Sequence, residues 1–378
     1  METEPVHAPV LVIGAGPAGL AVAGCLAQRG VRAEVIERGE AVGTSWRNHY
    51  RRLHLHTVKQ HSALPHLPFP REFPRYVPRE QVVEYLAQYA RRFDVRPAFG
   101  EEAEAITRVD GGWQTRCRSG RTFVTDAVVM ATGANQRPQM PQFRGQATYR
   151  GRILHSEAYR DAQPFAGQRV LVVGMGNTGA EIALDLAQNG AAATLSVRSP
   201  VNVVRRDVLG RPVQVTSMLL SRLPSRIADA IALKFRQWTI GDLRPYGIEM
   251  PAISPLRQLR EQGRTPVIDI GTIALVRSGQ IAVRPGIEAF TEEGVRFRDG
   301  RQERFDAVIL ATGYHADVAG LFRPVQVPVD DKGLPMRVSG TGELAGVYFV
   351  GYDIRQAGGV LRTIGLQAQS VARQIAAA

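Results

Sequence analysis

A chain of 378 residues, 44 % hydrophobic and 22 % charged, is long enough for two well-buried cores and too apolar to be disordered or fibrous. A formal net charge of +12 would suit a nucleic-acid binder, but the lysines are only Lys59, Lys234 and Lys332 and no nucleic-acid motif accompanies them. The charge therefore reads as an arginine bias whose positive field collects anionic cofactors and substrate. Two cysteines, Cys25 and Cys117, lacking CxxC spacing, speak against a disulfide scaffold, a zinc ribbon and a dithiol redox centre.

The chain starts METEPVHAP, short, acidic and without an apolar signal core, and no stretch reaches the roughly 18 uncharged apolar residues that span a bilayer. A soluble, cytoplasmic protein without an integral membrane segment is expected. An apolar run, Val10 to Ile13, then passes into Gly14-Ala15-Gly16-Pro17-Ala18-Gly19, an Ala/Leu-rich helix that stops at Gly30, and a second strand ending on Glu37-Arg38. This is a complete βαβ unit for a dinucleotide. Gly14 makes the tight turn, Gly16 admits a pyrophosphate, Gly19 lets helix and strand approach, and Glu37 accepts from two ribose hydroxyls.

Gly43-Thr44-Ser45-Trp46 leads into a polar stretch with His54, His56, Lys59, Gln60 and His61, where no carboxylate or cysteine joins the histidines at metal-ligand spacing. The prolines between Leu64 and Pro78 enforce loop, and a helix is predicted over Arg79 to Phe93 with Val82, Val83, Leu86 and Tyr89 on one face. Alternating residues from Ala103 to Val124, with turns at Asp110-Gly111-Gly112 and Ser119-Gly120, predict hairpins. They end in the strand Asp126 to Met130 and Ala131-Thr132-Gly133. The phrase recurs as Asp306 to Leu310 and Ala311-Thr312-Gly313-Tyr314, an internal repeat that places a buried strand end at corresponding points of two related halves.

The second half has its own fingerprint: Arg169 to Val173, then Gly174-Met175-Gly176-Asn177-Thr178-Gly179, a helix to Gly190, and a strand Ala193 to Val197. It ends in Arg198-Ser199 where the first unit ends in an acid. A carboxylate repels a 2′-phosphate and an arginine pairs with it, so the first site suits an adenosine ribose with free hydroxyls and the second NADPH. Two such units imply one flavin and one nicotinamide, with hydride passing between them. Residues Val215 to Leu243 show apolar spacing at Ile227, Ile231, Phe235 and Trp238, one face of a helix. An amphipathic insert covering the nicotinamide domain is expected, with membrane or partner contact as the sharper alternative.

Between the halves, Tyr149-Arg150-Gly151-Arg152-Ile153-Leu154-His155-Ser156-Glu157-Ala158-Tyr159 resembles the FxGxxxHxxxY identifier of class B flavin-containing monooxygenases, Tyr149 standing for Phe. Arg52-Leu53-His54-Leu55-His56, Lys59-Gln60, Tyr246-Gly247, Thr265 to Gly271 and Ala311-Thr312-Gly313-Tyr314 are similar to the plant YUCCA branch over almost the whole chain. Thr57-Val58, His315 and an arginine-rich Gly210 to Arg226 depart from that branch.

The resemblance implies an α/β protein of two Rossmann-like domains. The FAD domain is discontinuous (1–148 and 305–378), and the NADPH domain (149–304, helical insert about 215–243) is inserted in it. It implies NADPH- and O2-dependent monooxygenation through a C4a-(hydro)peroxide of FAD, and for the YUCCA branch oxidative decarboxylation of indole-3-pyruvate. N- or S-oxygenation, or electron transfer to a partner protein, are the alternatives. His56, Lys59 and Gln60 are expected as polar members of the pocket, or else as braces of their loop. His155 is expected to hydrogen-bond at the domain junction or toward the nicotinamide. Gly351 and Asp353, before a helix from about Leu361 to Ile375, are expected beside the flavin's pyrimidine edge. Partners are oxygen and a small organic substrate, and a homo-oligomer is left open.

Overall fold

The computed structural model describes residues 4–378. They form two compact units: one from the residues up to Asn48 with Thr57–Arg137 and Tyr314–Ala378, the other from His49–His56 with Pro138–Gly313.

The first unit is built on a seven-stranded sheet. The strand Val6–Ile13 lies between Ala33–Glu37 and Thr122–Met130, parallel to both, because its last four residues are buried on both faces and every one is aliphatic. Ala103–Val109 and Gly112–Cys117 add the predicted antiparallel hairpin, and Val347–Phe349 also pairs with Thr122–Met130. The helix Pro17–Ala27 is apolar nearly all round and packs on the C-terminal helix Val360–Ala377, close to the predicted bounds. The helix Arg79–Arg92 buries Val82, Tyr85, Leu86, Tyr89 and Ala90. Tyr85, whose hydroxyl donates to Leu67 O at 2.6 Å, takes the inward place expected of Val83.

The second unit carries a five-stranded, all-parallel sheet in the order Ala282–Arg284, Ala192–Ser196, Arg169–Val173, Ala307–Leu310, Arg152–His155. The repeated phrase is thus a repeat of structure. Met130 pairs with Ile13 in one sheet as Leu310 pairs with Val173 in the other.

Three boundaries differ from the expected ones, the first being that the second unit begins at Pro138 where Tyr149 was expected. The strand Ala307–Leu310 belongs to the second unit, since its ladder partners are Arg169–Val173 and Arg152–His155. His49–His56, far upstream of the rest of the second unit, belongs to it as well. The helical insert is two helices, Val213–Leu220 and Ser225–Ile240, separated at Pro224, which has no N–H to continue the first. Its packing is the reverse of expectation. Ala228, Ala232, Arg236 and Ile240 face inward, while Ile227, Ile231 and Trp238 are exposed.

Candidate dinucleotide sites and the buried acids between their strands

The two glycine turns are congruent. Gly14 (φ +110°) and Gly174 (φ +103°) hold conformations that side chains rarely adopt, and a Cβ on either would come within 2.6 Å of a carbonyl oxygen, Ala131 O and Ala311 O respectively. Gly19 and Gly179 abut the carbonyls of Gly14 and Gly174, so helix and strand touch through backbone alone. Gly16 and Gly176 differ in kind. A Cβ there meets nothing within 4 Å, so the chain itself does not require glycine and the open space suits a ligand's pyrophosphate. Both helices, Pro17–Ala27 and Asn177–Gln188, start without a side-chain cap, leaving their first N–H groups for an anion.

Around the first turn the structure brings together most of the predicted residues. Glu37 is buried, and its carboxylate accepts from Ala15 N (2.8 Å) and Gly39 N (2.9 Å), bracing the turn with lone pairs to spare for a ribose. Gly43 N donates to Ala15 O, which ties the one-turn helix of half-buried Trp46 to the same loop. Thr132 N and Oγ1 meet the Tyr352 hydroxyl (3.2 and 2.7 Å), and the Gln136 amide donates to Gly133 O. Gly351 packs on Ala18, and Asp353 Oδ1 accepts from Arg355 N. Arg38 is exposed just past the strand end, and Tyr314 is half-buried where the chain returns to this unit.

Around the second turn, Asn177 spends its amide on the neighbouring strand, accepting from Ile268 N (2.7 Å) and donating to Pro266 O (3.2 Å). Thr312 Oγ1 donates to Gln139 O, and Gln139 N donates to Gly313 O. Arg198 and Ser199 line a cavity of ≈ 700 Å³ with Tyr246, Gly247, Arg284 and Arg301. Arg284 and Arg301 are engaged by Glu303 (2.6 Å) and Asp299 (3.4 Å), whereas Arg198 has no acidic partner among the described residues.

The identifier motif is accounted for by structure. Tyr149 donates to Phe305 O (2.8 Å), and Gly151 lies against the Tyr149 ring, where a side chain would collide. The His155 Nδ1 accepts from Glu157 N and its Nε2 donates to Gly313 O (both 3.1 Å), which defines a neutral tautomer. Burial is the main cause that lowers its pKa below the ordinary histidine value. Tyr159 donates to Asp185 Oδ2 at 2.6 Å.

The expected trio His56, Lys59 and Gln60 is divided. Lys59 gives its ammonium protons to the carbonyls of Pro70 (3.1 Å), Arg71 (2.7 Å) and Phe73, so it braces the proline-rich loop and is withdrawn as a pocket group. Gln60 is exposed on the same turn. Only His56 enters a buried polar site, in the second unit, where its Nε2 lies 2.6 Å from Glu181 Oε1.

Glu181 is the residue that motif reading missed. It is 2 % exposed, one turn into the second fingerprint helix, with Asp185 a further turn on. The segment His49–His56 lies along these two acids: Arg52 pairs with Asp185 (3.4 Å), and Tyr50 faces Glu181 and Thr178. Burial first, then the Glu181 charge, pushes the Tyr50 phenol well above its ordinary pKa, so it stays a donor. Two buried polar atoms, His56 Nδ1 and Glu181 Oε2, have no hydrogen-bond partner. Acids at i and i+4 inside a helix otherwise apolar on its inner face were the available signal.

Residues 8–376 match the model of the family described as flavin-binding monooxygenase-like. The chain belongs to that family. Family members similar to it include indole-3-pyruvate monooxygenase YUCCA6 of Arabidopsis thaliana, 40 % identical over 365 residues (94 % of this chain, 87 % of that one). Indole-3-pyruvate monooxygenase YUCCA1 of Oryza sativa subsp. japonica is 40 % identical over 312 residues (82 % and 77 %). Among solved structures, a flavin-containing monooxygenase from Stenotrophomonas maltophilia superposes with a TM-score of 0.76 over 98 % of this chain and 99 % of its own, a likeness of fold at 22 % identity. The protein is therefore a flavin-containing monooxygenase, an oxidoreductase of two Rossmann-like domains.

Proposed function

We propose that the chain is an NADPH-dependent FAD monooxygenase that oxidatively decarboxylates an aryl α-keto acid such as indole-3-pyruvate. The observation that carries this reading is the pair of congruent cradles with opposite ends, Glu37 on one and an unpartnered Arg198 on the other, in a chain 40 % identical to indole-3-pyruvate monooxygenases. FAD supplies the electron storage and oxygen activation that no side chain offers.

The chain's own residues hold and shield. Gly14, Gly16 and Gly19 admit the FAD pyrophosphate, with Glu37 at the ribose. Thr132, Gly133, Gly351, Asp353 and Trp46 fix the strand ends around it, and the start of the helix Val360–Ala377 favours negative charge at the flavin's pyrimidine edge. Gly174 to Gly179 admit NADPH, whose 2′-phosphate meets Arg198 and Ser199. His155 keeps Gly313 in place as a donor and moves no proton. His56 is held by Glu181 on one nitrogen and bare on the other, the arrangement of a base oriented by a carboxylate.

A disulfide-reducing role is disfavoured by the cysteines. Cys25 and Cys117 are buried, and desolvation pushes their thiols up to about 11 and about 12, which keeps them protonated and unreactive. The test is product analysis. FAD-loaded enzyme with NADPH and indole-3-pyruvate in air should yield indole-3-acetate and CO2 in proportion to NADPH consumed. Oxygenated amines or thioethers without indole-3-acetate would establish the N- or S-oxygenating alternative instead. NADPH consumption that depends on an added protein would establish the reductase.

A further inference from the structure

The helix Ser225–Ile240 is amphipathic in the inverted sense. Its inward face is Ala228, Ala232, Arg236 and, at its last residue, Ile240, and the polar groups anchor it. Arg236 donates to Asn202 and to Pro251 O (3.0 Å), while Asp229 accepts from Ser254 (2.6 Å) and Arg260 (2.9 Å). These bonds fix the helix's rotation. The bulky side chains are therefore held outward: Ile227 is 52 % exposed, Ile231 42 % and Trp238 66 %. At 3.6 residues per turn these three, with half-buried Phe235, share an arc of about 80°. Leu219 and Leu223, just before this helix, are exposed as well. Scattered exposed hydrophobics are ordinary, but an aligned stripe is a contact surface.

The charges on the two helices select what the stripe meets. Arg222, Arg226 and Lys234 are exposed, and the one acid from 213 to 240, Asp229, is tied down by Ser254 and Arg260. A second copy of the chain would bring like-charged faces together. Nucleic acid offers phosphates but no bed for isoleucine. We propose that this face docks on an anionic lipid surface, with Ile227, Ile231 and Trp238 entering the interface and Arg222, Arg226 and Lys234 at the headgroups, as in monotopic basic helices. No helix among the described residues is long and apolar enough to cross a membrane, so the contact is peripheral.

The FAD-loaded enzyme can be sedimented with vesicles of phosphatidylcholine alone and with about one third phosphatidylglycerol, at two salt concentrations. Binding is expected to the anionic vesicles only, weakened by salt. Brominated acyl chains should quench tryptophan fluorescence, and Trp238→Phe should remove that quenching although Trp46 and Trp113 remain. The triple variant Ile227→Ser, Ile231→Ser, Trp238→Ser should lose about tenfold or more in vesicle affinity with NADPH oxidation unchanged. Arg222→Gln, Arg226→Gln, Lys234→Gln together should lose a similar factor at low salt. The proposal is overturned by no binding to anionic vesicles, by serine variants that bind as well as wild type, or by a lipid-free dimer that the serine variant dissolves.

Discussion

The two fingerprint helices start from the same turn and end in different surroundings. Counting from Gly14 and Gly174, the positions of Glu181 and Asp185 correspond to Ala21 and Cys25. Pro17–Ala27 can be apolar throughout because the amphipathic helix Val360–Ala377 packs on it. Asn177–Gln188 is covered in part by the polar segment His49–His56, and its two buried acids answer Tyr50, Arg52 and His56. A glycine turn thus determines where a dinucleotide's phosphates go, while the inner face of the helix behind it records what the rest of the chain lays upon it.

The largest effects should come from the strained glycines. Gly14→Ala should yield protein without flavin, and Gly174→Ala yellow protein that NADPH does not reduce, since each forces a positive-φ turn against a carbonyl at a cost of about 2–4 kcal/mol. A yellow Gly14→Ala variant would show the two cradles assigned in the wrong order. Gly16→Ala and Gly176→Ala should reproduce those cofactor phenotypes with urea midpoints close to wild type, because the added methyl meets only ligand. Lowered midpoints would make the space structural.

The buried acids distinguish the helices next. Glu181→Ala should destabilise the protein by about 3 kcal/mol, because His56 loses its partner inside the second unit. The corresponding Ala21→Gly should cost only about 1 kcal/mol of helix propensity. Equal losses, measured by urea unfolding, would mean the acid carries no special burden. Arg198→Ala should weaken NADPH by about ten- to a hundredfold while NADH changes little, a charge-assisted bond to phosphate being worth about 1.5–3 kcal/mol. Flavin reduction measured with both nucleotides decides it, and a retained NADPH preference would leave Arg198 a surface arginine.

The smallest effect concerns pH. His155 has a pKa lowered by burial, so as pH falls through about 6.5 the unfolded chain takes up a proton that the native imidazole resists, and stability falls with it. His155→Gln should flatten that slope by up to about 1 kcal/mol between pH 7 and pH 5.5, read from urea midpoints.

Both sheets, both turns and the closing helix were legible in the sequence because strand, glycine spacing and helix follow local rules that tertiary context did not override. The exchange of Glu37 for Arg198 between the two units was visible in the sequence, and the cavity that Arg198 lines was not. What escaped was non-local. Lys59 looked like a pocket residue until three carbonyls from a proline-rich loop, 11 to 14 residues on, claimed it. The stripe Ile227–Trp238 looked like a buried face because periodicity gives a helix two faces and does not say which one the core receives. Glu181 has no sequence neighbour that announces His56, 125 residues upstream.

The loan of His49–His56 to the second unit has a consequence for dissecting the gene. Pro138–Gly313 is an uninterrupted span of codons and invites use as a cassette for chimaeras. Excised in that way it would keep Tyr159 and Asn189 on Asp185 but leave Glu181 with no Tyr50 or His56 beside it, a carboxylate stranded on an otherwise apolar helix face. A transplantable version has to carry those eight residues along or replace Glu181 with an apolar side chain.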